Sequence, residues 1–194
     1  MNAAIQQETL LFKLFKRFTL IGVIFALCVV VLGAYVRLTD AGLGCPDWPG
    51  CFGTLTVPES ETAILNAQTH YPNKMIEVGK AWREMAHRYL AGTLGLIVLA
   101  LFILGLRVKK QLKTSVWVPS FLLALISFQA MLGMWTVTML LKPAIVSAHL
   151  LGGMATLATL TWLANKHWNA NTIQLANPLR LFIRFALLDR KSVV

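Results

Sequence analysis

Long apolar runs alternate along this chain with short basic clusters and one long stretch of mixed polarity. Four runs carry no charged residue: Phe18–Val36, Tyr89–Leu106, Thr114–Leu141 and Pro143–Asn165. Each approaches or exceeds the roughly 18–20 apolar residues that cross a bilayer core. The pattern predicts four spanning helices and no soluble domain. The first runs from about Phe18 to Arg37 and ends in Gly33-Ala-Tyr-Val-Arg-Leu-Thr-Asp-Ala-Gly-Leu-Gly44, where closely spaced glycines break the helical pattern. A loop of roughly forty residues follows, too long for a mere connector. A second helical pattern starts near Asn73, after Pro72, and continues through Glu84 and His87 to Leu106. The third covers about Val116–Leu140, Lys142-Pro143 makes a short turn, and the fourth runs from about Ala144 to Asn165.

Beyond Pro178 an apolar pattern, Leu179–Leu188, starts a fifth span, with an interfacial helix as the alternative; Arg180 and Arg184 share one of its faces. The last six residues, Asp189-Arg-Lys-Ser-Val-Val194, match what a common sequencing adapter would encode. The chain is therefore expected to be a truncated reading frame. It divides into an N-terminal segment (1–17), a four-helix transmembrane part (18–165), a connection with the start of a fifth helix (166–188) and the artefactual end (189–194).

Composition supports the membrane assignment. The chain is 57% hydrophobic and only 13% charged, where soluble domains carry about a quarter charged residues. A net charge of +10 would raise nucleic-acid binding in a soluble protein, but here the placement of the charges accounts for it. Lys13, Lys16 and Arg17, then Arg107, Lys109, Lys110 and Lys113, then Lys166, Arg180 and Arg184 fall on one side if the first helix runs outward. That is the cytoplasmic side by the positive-inside rule. Asp40, Asp47, Glu59, Glu61, Glu77 and Glu84 lie in or beside the segment on the other side. The N-terminus is thus expected in the cytoplasm of a bacterial inner membrane, with Thr39–Arg83 outside. Phe18–Val36 is too long for a signal-peptide core.

Two histidines stand out against this apolar background. His87 lies about 7–8 Å along the second helix from Trp82, and His149 about 9 Å along the fourth from Pro143, at roughly 1.5 Å per residue. Their 62-residue separation does not impose that match in depth. Ionisable groups inside hydrocarbon are costly and mark function. Ala91 and Gly153 follow the histidines at i+4, with Gly95 a further turn on, so small side chains leave room for a flat macrocycle. Two imidazoles at equal depth suit axial ligation of a heme iron; interhelical hydrogen bonding is the alternative for each alone.

Glu84, one turn before His87 and on the same face, suits proton transfer at such a site, or an ion pair with Arg88 at i,i+4. Cys45-Pro-Asp-Trp-Pro-Gly-Cys51 favours a tight turn that brings two sulfurs together, as a structural staple or a redox pair. Arg37 is a candidate partner for a heme propionate, or snorkels to the headgroups. Cys28 is expected to be inert packing, Trp48 loop packing, His70 solvated, His167 an interfacial anchor beside Trp168, and Gln129 an interhelical hydrogen-bonding residue.

The stretches Gly33–Cys51, Glu84-Met-Ala-His-Arg-Tyr-Leu-Ala-Gly92, Gln129-Ala-Met-Leu-Gly-Met-Trp-Thr-Val-Thr138 and His149-Leu-Leu-Gly-Gly153 resemble the bacterial heme A synthases, in the family's order. The resemblance covers nearly all of Phe18–Asn165. It implies one four-helix half of an eight-helix, duplicated architecture. It also implies oxidation of the ring D methyl of heme O to a formyl group, giving heme A for cytochrome oxidase. His87 and His149 match the histidines of the half thought to hold heme O, and Glu84 matches the carboxylate considered important for oxidation. Cys45 and Cys51 match a pair proposed to form a disulfide or relay electrons. The family's second histidine pair, which holds heme b, has no counterpart here. Implied partners are the farnesyltransferase that makes heme O, cytochrome oxidase assembly proteins, the bilayer and a second copy of the chain. The rival classes are a bis-histidine cytochrome b carrier, a quinone-linked thiol oxidoreductase and a structural assembly factor.

Overall fold

The structure is a computed structural model, and it describes residues 2–112 and 114–167. Lys113, Trp168, the expected fifth span and the C-terminal hexapeptide lie outside the described residues. Among the described residues five helices follow in order: α1 (Asn2–Leu38), α2 (Glu61–His70), α3 (Val78–Arg107), α4 (Trp117–Thr138) and α5 (Pro143–His167). All but α2 are long and apolar enough to cross a membrane. Many large apolar side chains point outward, among them Ile24 and Val31 on α1, Leu96 on α3, Phe121 on α4 and Leu151 on α5. In water such a surface would demand a partner; in a bilayer, helices that satisfy their own backbone groups present it to lipid. The protein is an all-α, multi-pass membrane protein.

The helices differ from the expected ones in three places, the first being that α1 begins at Asn2 and not near Phe18. The second spanning helix starts at Val78, not near Asn73, because the Lys74 N–H turns back to the Tyr71 carbonyl and the backbone reaches Glu77 extended. The long loop also contains α2, a ten-residue helix capped by Ser60, whose side chain accepts from the Ala63 N–H at 3.2 Å.

Helix α1 packs against α3 and α5, and α4 packs against the same two. The four spanning helices therefore form a ring, with α3 and α5 at one pair of opposite corners and α1 and α4 at the other. Two apolar clusters fill this frame. One joins Phe15, Leu94, Val98, Leu101, Leu122, Leu160 and Leu163 toward the basic end. The other gathers Cys45, Cys51, Phe52, Val57, Ala67, Ala81 and Met85 under the loop. Along α3 the first cluster begins at Leu94 and the second ends at Met85, and the layer between them carries His87.

His167 departs from expectation. It is 2% exposed, its Nδ1 lies 3.0 Å from the Leu163 carbonyl, and its ring packs edge-on against Phe12 and Phe15. It locks the end of α5 onto α1 instead of anchoring at an interface. Cys28, expected to pack, is an exposed free cysteine, because α1 turns that side outward. Trp48 is 42% exposed and is not loop packing.

Candidate functional site

His87 on α3 and His149 on α5 reach toward each other from opposite corners of the ring. Their ring centroids are 6.4 Å apart and their planes cross at 82°. Two imidazoles on one metal, with each nitrogen about 2 Å from it and about 1.1 Å from its own ring centre, would stand roughly 6 Å apart. The separation is one that an iron could bridge, with the ring planes nearly perpendicular. Among the described residues no three His, Cys, Asp or Glu gather to hold a metal ion. The pair could offer two ligands to an iron whose other positions a porphyrin would fill. Nδ1 of each ring is buried without a hydrogen-bond partner, an arrangement costly in a finished apolar core. The residues present fit a heme.

The small residues that matter to the rings are not those the helical spacing points to. A Cβ on Gly92 or Gly95 would meet nothing within 4 Å, and one on Gly153 only Val30, at 3.8 Å. The glycines against the imidazoles are Gly33 on α1 and Gly133 on α4. Their signal in the sequence is a glycine within each span, five residues before the helix end, the depth of the histidines.

Glu84 is 4% exposed and the one buried acid among the described residues. Its Oε2 accepts from the Cys45 N–H at 2.9 Å, and its Oε1 accepts from Arg88 Nη2. The i,i+4 ion pair is formed, with both side chains nearly covered. Arg88 Nη1 also donates to the carbonyls of Asp47, at 2.9 Å, and of Gly50, with Pro49 at 3.3 Å. The carboxylate one turn from His87 is thereby tied to the cysteine loop.

That loop is compact. Cys45 and Cys51 form a disulfide, and both are fully buried. The Asp47 carboxylate accepts from the N–H groups of Phe52, at 2.7 Å, and Gly53, at 2.8 Å, across residues with left-handed backbone. Gly44 lets the loop lie on α3: a Cβ there would sit 2.7 Å from the backbone of Lys80 and Ala81. Tyr89 donates to the Leu55 carbonyl at 2.6 Å, a further tie.

The other candidates make contacts of their own. Arg37 pairs with Asp40 at 3.7 Å, and both side chains are exposed. His70 is exposed, with Nδ1 2.9 Å from the Asn66 carbonyl. Gln129 does not make the interhelical hydrogen bond expected of it: its Nε2 is buried and unpartnered, pressed against Gly152 of α5.

A ring of four spanning helices with two neighbouring imidazoles between its apolar clusters defines a polytopic helical-bundle membrane protein. Residues 16–188 match the COX15-CtaA family, described as cytochrome oxidase assembly protein, and the chain belongs to that family. It is 50% identical over 140 residues to the heme A synthase of Shewanella oneidensis, covering 72% of this chain and 42% of that protein. It is 30% identical over 172 residues to the heme A synthase of Caulobacter vibrioides, covering 79% of this chain and 49% of that protein. The corresponding values for the Agrobacterium fabrum heme A synthase are 31% over 151 residues, 71% and 40%. The chain thus spans less than half the length of these curated relatives. No solved structure matches it.

Proposed function

We propose that this chain is the substrate-binding half of a heme A synthase, holding heme O between His87 and His149. The observation that carries the proposal is the 6.4 Å approach of two imidazoles from opposite helices, in a family whose relatives bear that name. Heme O, when bound, supplies the iron and the ring D methyl that becomes the formyl group. His87 and His149 hold the iron by their ring nitrogens. The apolar cluster from Leu94 to Leu163 closes the site to water from the basic end.

Oxidising a methyl to a formyl group removes four electrons and, with water as oxygen source, releases four protons. Glu84 is the buried carboxylate nearest His87 in sequence and takes protons at Oε1 or Oε2. Its bonds to Arg88 and Cys45 keep it oriented. Arg37, at the loop end of α1, is placed to meet a propionate once it leaves Asp40. The electron acceptor lies outside this half, and heme b belongs to the other. The buried disulfide serves as a staple that fixes Glu84. Heme O comes from the farnesyltransferase that makes it, and the product goes to cytochrome oxidase assembly. The N-terminus faces the cytoplasm of a bacterial inner membrane, a reading supported by the basic clusters at one end of the bundle. A homo-oligomer is compatible with its exposed apolar surface.

The test is to produce the chain, alone and with the remainder of a heme A synthase, in cells that make heme O, and to weigh the extracted pigment. Farnesylated heme bound by the chain alone, and formylated heme in the completed enzyme, are expected. Both should be lost in His87→Ala and His149→Ala. An unaltered b-type heme in both preparations would make the protein an electron carrier. Loss of activity on replacing both cysteines, with His87→Ala active, would make it a thiol oxidoreductase. Normal cytochrome oxidase assembly in Glu84→Ala, with no formylated heme in any preparation, would leave a structural assembly factor.

A further inference from the structure

The two imidazoles share an environment as well as a depth. A Cβ built on Gly33 would fall 2.8 Å from Cε1 of His87, 3.4 Å from its Nδ1 and 3.5 Å from its Nε2. One built on Gly133 would lie 3.4 Å from Cε1 of His149 and 4.0 Å from its Nε2. The first glycine has no space for a methyl group, whereas the second has ordinary contact distance. Helical side chains lean over the preceding turn, so a glycine uncovers the carbonyl four residues before it. For Gly33 that carbonyl belongs to Val29, and for Gly133 to Gln129. They are the backbone acceptors beside the helix surface that each glycine leaves bare. Each Nδ1 is buried without a hydrogen-bond partner, so a donor and an acceptor stand ready on both sides.

We propose that Gly33 is a positioning residue for the axial ligand His87. Its gap lets the imidazole seat against a bare helix carbonyl, which would accept from Nδ1–H and leave Nε2 for the iron. Metal-bound imidazoles commonly hold their orientation and tautomer through such a bond. The inference rests on the heme reading above and adds which helix surface sets His87. Gly133 is the control, since a methyl group there meets His149 at ordinary contact distance.

The test uses hemin as probe on the detergent-solubilised chain, read by optical and EPR spectra. Wild type is expected to give a six-coordinate, low-spin complex. Gly33→Ala should displace His87 and leave a five-coordinate, high-spin complex through His149, with affinity lower by about ten- to a hundredfold. Gly133→Ala should stay six-coordinate. In a His87→Gly background Gly33→Ala should change nothing further, because its effect passes through the missing ring. A misfolded variant would lose the His149 signal too, so the retained five-coordinate spectrum separates displacement from unfolding. Nitrogen-15 NMR of histidine in the wild-type hemin complex should report Nδ1–H on His87, whether or not the alanine variants are recovered. A Gly33→Ala protein with wild-type spectrum and affinity, or an Nε2–H tautomer, would overturn the inference while leaving the heme reading intact. Wild type that takes up no six-coordinate hemin would overturn both.

Discussion

The backbone N–H of Cys45 donates to the Glu84 carboxylate at 2.9 Å, joining the disulfide loop to the helix that carries His87. Glu84 thus has a structural duty beside any chemical one, and two substitutions separate them. Glu84→Ala strands a buried guanidinium and a backbone donor, a loss of about 3–5 kcal/mol for a broken buried pair. Thermal unfolding in detergent should show that loss. Glu84→Gln keeps an oxygen for Cys45 but turns its NH2 toward Arg88 and removes the counter-charge, so it should unfold earlier than wild type and later than the alanine variant, while failing to take a proton. A Gln variant that still supports formyl formation would reduce Glu84 to a clamp.

Arg88 is the other half of that clamp. Its fork reaches Glu84 on one side and the carbonyls of Asp47, Pro49 and Gly50 on the other. A lysine carries the charge as a point and cannot span those directions at once. Arg88→Lys should therefore loosen the loop, with each lost charged hydrogen bond worth about 1.5–3 kcal/mol. Limited proteolysis between Cys45 and Pro58 should speed up while hemin binding at the histidines persists. Unchanged cleavage would show that the loop stands without the arginine.

What could be read from the residues, and what could not, divides along physical lines. The four spans were legible because an uncharged run of bilayer length has few other uses. The histidine pair was legible because its depth is a matter of counting residues along two helices. Helix α2 was not, since ten mostly polar residues make no apolar stripe; only Ser60 and the Glu61 behind it marked the cap. The inward turn of His167 and the lipid-facing Cys28 depend on helix rotation. Helices that are apolar on every side do not encode that rotation in their pattern. The partners of Glu84 and the glycines beside the rings are contacts between distant segments, where Cys45 lies 39 residues from Glu84. No local spacing reveals them.

His167 tests the packing of the basic end. Its ring sits between the end of α5 and the aromatic side chains of Phe12 and Phe15. His167→Ala should open a cavity there and lower stability by about 2–4 kcal/mol, by analogy with other large-to-small changes in cores. His167→Phe should recover much of the aromatic packing. Hemin uptake per folded molecule should be the same in both variants, because the cluster from Leu94 to Leu163 separates them from the rings. A spectrum altered in proportion to the lost stability would show that the two ends of the bundle are coupled.

The disulfide allows a sharper separation, between a staple and a redox pair. Both cysteines are fully buried, beneath Phe52, Val57 and Met85, and a sulfur that solvent cannot reach exchanges slowly with any thiol. Closing so short a loop stabilises by about 2 kcal/mol in the chain-entropy view. The double variant Cys45→Ser, Cys51→Ser should therefore be destabilised by that modest amount and remain folded, with Glu84 and Arg88 still holding the loop. In wild type, maleimide labelling after mild reductant should stay low, and it should rise sharply in Arg88→Lys, where the loop opens. A staple predicts that the double serine variant keeps formyl formation in the completed enzyme at temperatures well below its unfolding midpoint. An electron relay predicts that activity vanishes there although the protein is folded and hemin-loaded. Rapid labelling in wild type, joined to that loss, would mean that the cysteines are open to a redox partner and that their burial under the loop is not the state in which they act.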